Sequence, residues 1–239
     1  PAVEAKLPII QSNYSQEFQL LSNADSWLDW TLGAYLYGSR AGYKDLIFSG
    51  LALSNPPFSG TGRTELYSRQ DTESQSIYAQ GDAEIFEATK LTAGLRFTHE
   101  RQELYSKAFG QHIQDAEDAG FDEPTWRLAL DHGFSDDMHA YISYNRGVKG
   151  GGFDLLSPGK DGYEPEKLDA YEIGLKSEWL DNRLRFNAAY FYYDYKEIQV
   201  QVIGATGAGI VTTTNAGAAT IQGLDIDFEY APIDDLNIS

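Results

Sequence analysis

The chain has 239 residues, 36 of them acidic and 18 basic, for a net charge of −18. Such a surface repels phosphate backbones, so a nucleic-acid partner is not expected. The absence of cysteine rules out disulfides, thiolate metal sites and cysteine nucleophiles. Mean hydropathy is −0.41 and no stretch of 18 apolar residues occurs. A transmembrane helix is thereby excluded, but not a transmembrane barrel, whose alternating strands average to a polar composition.

In chain order, the same period of two recurs. Leu28, Trp30, Leu32, Ala34 and Leu36 alternate with Asp29, Thr31, Gly33 and Tyr35. Ile77, Ala79, Ala83 and Ile85 alternate with Ser76, Gln80, Asp82 and Glu84, and Leu91, Ala93, Leu95 and Phe97 with Thr92, Gly94, Arg96 and Thr98. Tyr171, Ile173, Leu175 and Trp179 alternate with Glu172, Gly174, Lys176 and Glu178. Residues 183–202 carry Leu184, Phe186, Ala188, Tyr190 and Tyr192, then Ile198, Val200 and Val202, on one parity. Leu224, Ile226, Phe228 and Tyr230 close the series. A period of two is a β-strand with one apolar and one polar face. At about twenty residues, the 183–202 run exceeds the usual strand of about five or six.

Tight turns punctuate these strands at Ser22–Asp25, Phe86–Thr89, Phe134–Asp137, Leu180–Arg183 and Pro232–Asp235, with the Asp, Asn, Ser and Pro that hairpins require. A propeller blade would hold four short strands per period; here each period holds two long ones. Longer connections are expected at 39–70, 105–121, 149–164 and 204–211, where most Gly and Pro lie. Short turns at one end and long loops at the other predict an all-β, antiparallel up-and-down transmembrane barrel. Trp27, Trp30, Trp126, Trp179 and Tyr230 are expected to form an aromatic girdle by the short turns; the alternative is the core of a soluble β domain.

Little points to catalysis. His99, His112, His132 and His139 lack metal-ligand spacing, although His132 and His139 flank a hairpin turn and could meet across it. GVKGGG (147–152) and GATGAG (204–209) share only glycine content with phosphate loops and read as flexible loop. Asp115, Glu117, Asp118, Asp122 and Glu123 read as a solvated acidic loop. Asp225 and Asp227 share a polar strand face, where charge is expected. No enzyme activity, metal or cofactor is expected.

Several stretches go beyond generic barrel chemistry. Tyr144 to Phe153 follows Y-x-R-G-x-K-x-G-G-F, Pro165 to Lys176 follows P-E-x-x-x-x-Y-E-x-G-x-K, Asn187 to Tyr195 follows N-A-x-x-F-Y-x-x-Y, and Asn215 to Asp225 carries N-A-G…G-x-D. This region of about a hundred residues resembles TonB-dependent outer-membrane receptors. The resemblance implies about ten of roughly 22 barrel strands, residues 1–239 being expected to form a partial barrel domain without the plug, the TonB box and the C-terminal strands. It implies active import of a ferric siderophore or similar iron chelate across a Gram-negative outer membrane, with haem, cobalamin or a glycan as other cargoes. Partners would be outer-membrane lipid, the plug of the full-length chain and the TonB complex. Ligand contacts are expected from rim and loop residues Tyr43, Phe58, Tyr67, Arg146, Lys149 and Phe153. A passive porin-like channel or barrel adhesin, and a soluble β-rich carbohydrate-binding protein, are the alternatives.

Overall fold

The computed structural model describes residues 4–22, 27–49, 63–108, 111–156, 161–203, 211–233 and 235–239. Its elements are all strands: β1 (Glu4–Lys6), β2 (Ile9–Leu21), β3 (Leu28–Ser49), β4 (Arg63–Phe86), β5 (Thr89–Ala108), β6 (Gln111–Ser135), β7 (Met138–Lys149), β8 (Glu166–Trp179), β9 (Leu184–Lys196), β10 (Gln199–Ile203), β11 (Val211–Asn215), β12 (Ala218–Ile233) and β13 (Leu236–Ile238). Every wall strand pairs antiparallel with its neighbour, and β10–β11 form a separate two-stranded sheet. The all-β, up-and-down architecture expected from the period of two is the one observed.

Register shows why the alternation matters. One row across the wall runs Leu28, Ala83, Leu91, Leu130, Ile142, Ile173, Tyr190, Leu224. The adjacent row, on the opposite face, runs Asp29, Asp82, Thr92, Ala129, Ser143, Glu172, Phe191, Gly223. Aligned parity thus makes one face of the whole sheet apolar and the other mostly polar.

Burial is inverted relative to a soluble sandwich. On β4, Ser74 and Ser76 are buried while Ile77 is 66% exposed; Ile142, Ile173 and Leu224 are exposed too. Curvature explains this: polar side chains crowd together on the concave side and apolar ones splay on the convex side. A contiguous apolar surface of this extent is stable only against another apolar phase. Lipid supplies it.

Aromatic residues mark the limits of that band. Near the tight turns, Trp27, Phe86, Phe134 and Trp179 are all exposed. At the other limit, Tyr144 stacks on Tyr171 with centroids 4.6 Å apart, and Trp126 meets Tyr144 edge-on. Trp126 therefore belongs to the far girdle, not to the one beside the short turns. From Phe134 to Trp126, strand rise and tilt give a band about 20 Å tall.

Other expectations change. The described residues within 39–70 and 105–121 lie on strands, because β3 continues to Ser49, β4 starts at Arg63, β5 reaches Ala108 and β6 resumes at Gln111. The acidic 115–123 stretch accordingly lies on β6, with Asp118 bound to Arg101 and Asp122 to His99. The long 183–202 run divides at Glu197, whose φ is 52°. His132 and His139 oppose Ala140 and Gly133 respectively, so they lie on opposite faces and do not meet.

Candidate ligand-binding mouth of the lumen

Above the apolar band the wall splits. The β6–β7 register ends at Trp126 opposite Arg146, yet β6 stays paired with β5 up to Gln111, and β7 stays paired with β8 as far as Lys149 opposite Glu166. Across this seam Lys167 Nζ lies 2.6 Å from Glu123 Oε1. Beyond Lys149 the chain turns into the concave side. Gly152 and Tyr163 form an isolated bridge there, with hydrogen bonds of 3.0 and 2.8 Å.

Neutral amides tie this strap to both of its neighbours. On the wall side, Gln102 Nε2 donates to the Gly151 carbonyl at 2.9 Å, and Gln70 Oε1 accepts from Phe153 N–H at 3.3 Å. Gln70 also donates to Gln102 Oε1, so the two glutamines act as one unit. On the hairpin side, Gln199 Nε2 donates to the Gly150 carbonyl at 2.9 Å. Asn215 accepts from Glu164 N–H and donates to the Glu164 carbonyl. Asp154 accepts from Thr213 N–H at 2.7 Å. Backbone groups that turn inward need such partners, since an unpaired buried amide is costly.

The glycine run is needed for close approach. A Cβ on Gly151 would collide with the Tyr163 carbonyl oxygen, so no other residue fits without moving the strap. GVKGGG is therefore one strand glycine, Gly147, followed by a packed crossing, rather than a flexible loop.

Between strap and β6 opens a cleft of about 390 Å³, lined by Asp118, Gly120, Phe121, Phe153, Tyr163 and Glu164 among others. It combines aromatic faces, carboxylates and backbone groups, a mixture suited to holding a solute by contact and hydrogen bonds. Burial, reinforced by nearby Asp154, pushes the Tyr163 phenol up from its ordinary pKa. It remains a neutral hydroxyl in the physiological range. No cluster of metal-ligating side chains occurs among the described residues.

The six residues expected at the rim have different places. Phe153 is buried and lines the cleft. Lys149 ends β7 on the concave parity, exposed, opposite Glu166. Tyr43 is half-buried and opposes Ser68, which is fully buried. Tyr67 has the convex parity, its ring edge-on to Tyr105 at 5.8 Å. Arg146 also takes the convex parity: it chelates Asp169 through two nitrogens and lies 4.3 Å over the Trp126 ring. Phe58 lies outside the described residues. Gln70, Gln102 and Gln199 escaped the sequence reading, because a neutral amide on a polar parity looks like any wetted position. Asn215 stood in the N-A-G stretch.

Known proteins share this fold. The probable TonB-dependent siderophore receptor PiuA of Acinetobacter baumannii is 24% identical over 175 residues, which cover 70% of this chain and 23% of that protein. The ferric yersiniabactin uptake receptor FyuA from Yersinia pestis superposes with a TM-score of 0.80 at 18% identity, covering 98% of this chain and 35% of its own. The crystal structure of PiuA gives 0.65 at 19% identity, covering 96% and 37%. The chain thus spans well under half the length of each of these relatives. Residues 7–238 match the family described as TonB dependent receptor-like, beta-barrel; the chain belongs to that family, whose members are outer-membrane β-barrels of Gram-negative bacteria.

Proposed function

We propose that this chain is the wall and part of the mouth of a receptor that actively imports a ferric siderophore or similar iron chelate. The observation that carries the reading is the strap-built cleft at the mouth of a polar concave face, on a sheet whose other face is built for lipid. Two relatives named for siderophore or ferric-chelate uptake support the cargo class.

In this reading Phe153, Tyr163 and Phe121 supply apolar contact to the arriving chelate, and Lys149 and Tyr43 act from the rim. Residues 1–239 are one part of the barrel, a plug belonging to the whole receptor fills the lumen, and the TonB complex supplies the energy. No covalent step is required of any residue here.

Uptake of a labelled ferric chelate under iron limitation, with and without the intact gene, tests the cargo. Loss of uptake in the deletion strain is expected, and equal uptake in both strains overturns it. Collapsing the proton-motive force separates active import from a passive channel: import stops, whereas a porin-like channel continues to equilibrate.

A further inference from the structure

Midway up the concave face, two arginines stand side by side without an acid. Arg96 opposes Thr125 and Gly94 opposes Arg127. The two arginines are therefore diagonal cross-strand neighbours on one face, within reach of long side chains. Gly94 puts no side chain between them. A concavity of about 260 Å³ here is lined by Arg96, Arg127, Tyr78, Gln80, Gly94 and Thr125 among others.

Arg96 is held in place by neutral groups. It donates to Ser76 Oγ at 2.6 Å and Thr98 Oγ1 at 3.3 Å, and its guanidinium lies 5.5 and 5.8 Å from the Tyr35 and Tyr78 ring centroids. Arg127 is exposed and has no hydrogen bond or ion pair among the described residues. The nearby carboxylates are turned elsewhere. Glu17 accepts from the Tyr78 hydroxyl at 2.7 Å, and Glu123, which opposes Thr98, is engaged by Lys167 at 2.6 Å. Arg40, Arg69, Arg101, Arg146 and Arg185 all have carboxylate partners. In a chain with twice as many acids as bases, two adjacent arginines without one call for an anion.

We propose that Arg96 and Arg127 form a carboxylate-binding pocket on the lumen wall. Two planar guanidinium forks match the two oxygens of a carboxylate, and the Tyr35–Tyr78 pair pre-positions one fork. The carboxylate comes either from a side chain of the receptor's own lumen-filling polypeptide or from a solute crossing the lumen. This pocket depends on the concave face being a lumen, and not on the cargo named above.

Phenylglyoxal labelling of the full-length receptor, read at each arginine by peptide mass spectrometry, tests it. With a solute carboxylate as occupant, about 10 mM citrate slows labelling of Arg96 and Arg127 at least about fivefold, the same concentration of phosphate does not, and R127Q abolishes the protection of Arg96. With an internal carboxylate, both arginines label at least about fivefold more slowly than Arg101 without any addition, and R127Q speeds labelling of Arg96. Free labelling that citrate leaves unchanged overturns the pocket, as does slow labelling of Arg96 that R127Q leaves slow, the result of shielding by tyrosine alone. Equal protection by phosphate overturns the carboxylate class. Transport is not the readout, so failure here and failure of the import reading are separable.

Discussion

The convex and concave faces of this sheet are built from the same strands and obey opposite rules. On the convex face large apolar side chains such as Leu224, Ile77 and Ile142 are exposed. On the concave face the buried residues include Thr72, Ser74, Thr92 and Gln102. Curvature sets how crowded a side chain is, and the solvent on each side sets which chemistry is tolerated there. Burial by itself is therefore a poor guide to polarity in this molecule. The crowded concave face is polar because its side chains satisfy one another in hydrogen-bond networks, and the open convex face is apolar because its partner is lipid.

A charge placed on either face separates the two most strongly. Ile142→Arg, in the middle of the convex band, is expected to cost about 2–4 kcal/mol in equilibrium unfolding of the protein in lipid vesicles. Ser143→Arg, the next residue but facing the lumen, is expected to cost about 1 kcal/mol or less. Equal costs at the two positions would remove the lipid assignment of the convex face.

At the band's upper limit, Asp169 is 4% exposed and binds Arg146, Tyr144 and Lys196. Asp169→Asn removes the counter-charge while keeping the shape, and about 2 kcal/mol of destabilisation is expected by the same measurement. A double-mutant cycle with Arg146→Gln should show the two losses to be strongly non-additive.

Glycines on β7 and β8 extend the comparison. On Gly174 an added Cβ would lie 2.5 Å from the Tyr141 ring, whereas on Gly147 it meets nothing within 4 Å. Gly174→Ala must displace a ring whose hydroxyl donates to Glu172, so about 1–2 kcal/mol is expected in thermal or denaturant unfolding. Gly147→Ala should be close to neutral.

The smallest effect is local. Gln102→Leu removes the donor to Gly151 and should loosen the strap by about 1 kcal/mol. Faster proteolytic cutting between residues 150 and 164, with an unchanged unfolding midpoint for the barrel, is the outcome to look for. Unchanged cutting would mean that the hairpin-side bonds from Gln199 and Asn215 hold the strap alone.

How legible the molecule was in its residues depended on where a strand meets lipid. Leu91 to Phe97 and Tyr171 to Trp179 alternate visibly because one face meets lipid and the other water. Where β5 and β6 rise above the band, both faces meet water and the alternation fades. Arg101, Glu103, Asp118 and Asp122 then look like loop, although backbone pairing between β5 and β6 continues. The same loss of contrast concealed Gln102 and Gln70. They are recognisable as functional only when a segment about fifty to eighty residues away in sequence arrives to use their amides.

The amino-acid sequence by itself determined the strand period, the parity of each wall strand, the tight turns at Phe86–Thr89, Phe134–Asp137 and Leu180–Arg183 and the family, because these rest on neighbours in the chain and on short motifs. Tertiary structure alone decided the rest. It set the break at Glu197, where the chain leaves the wall to make the β10–β11 hairpin. It directed Arg146 outward to Asp169 and folded the strap inward between Gln102 and Gln199. It also placed Arg96 beside Arg127 with their neighbouring acids turned away. Each of these depends on which distant strand lies alongside, and a period of two carries no information about that choice.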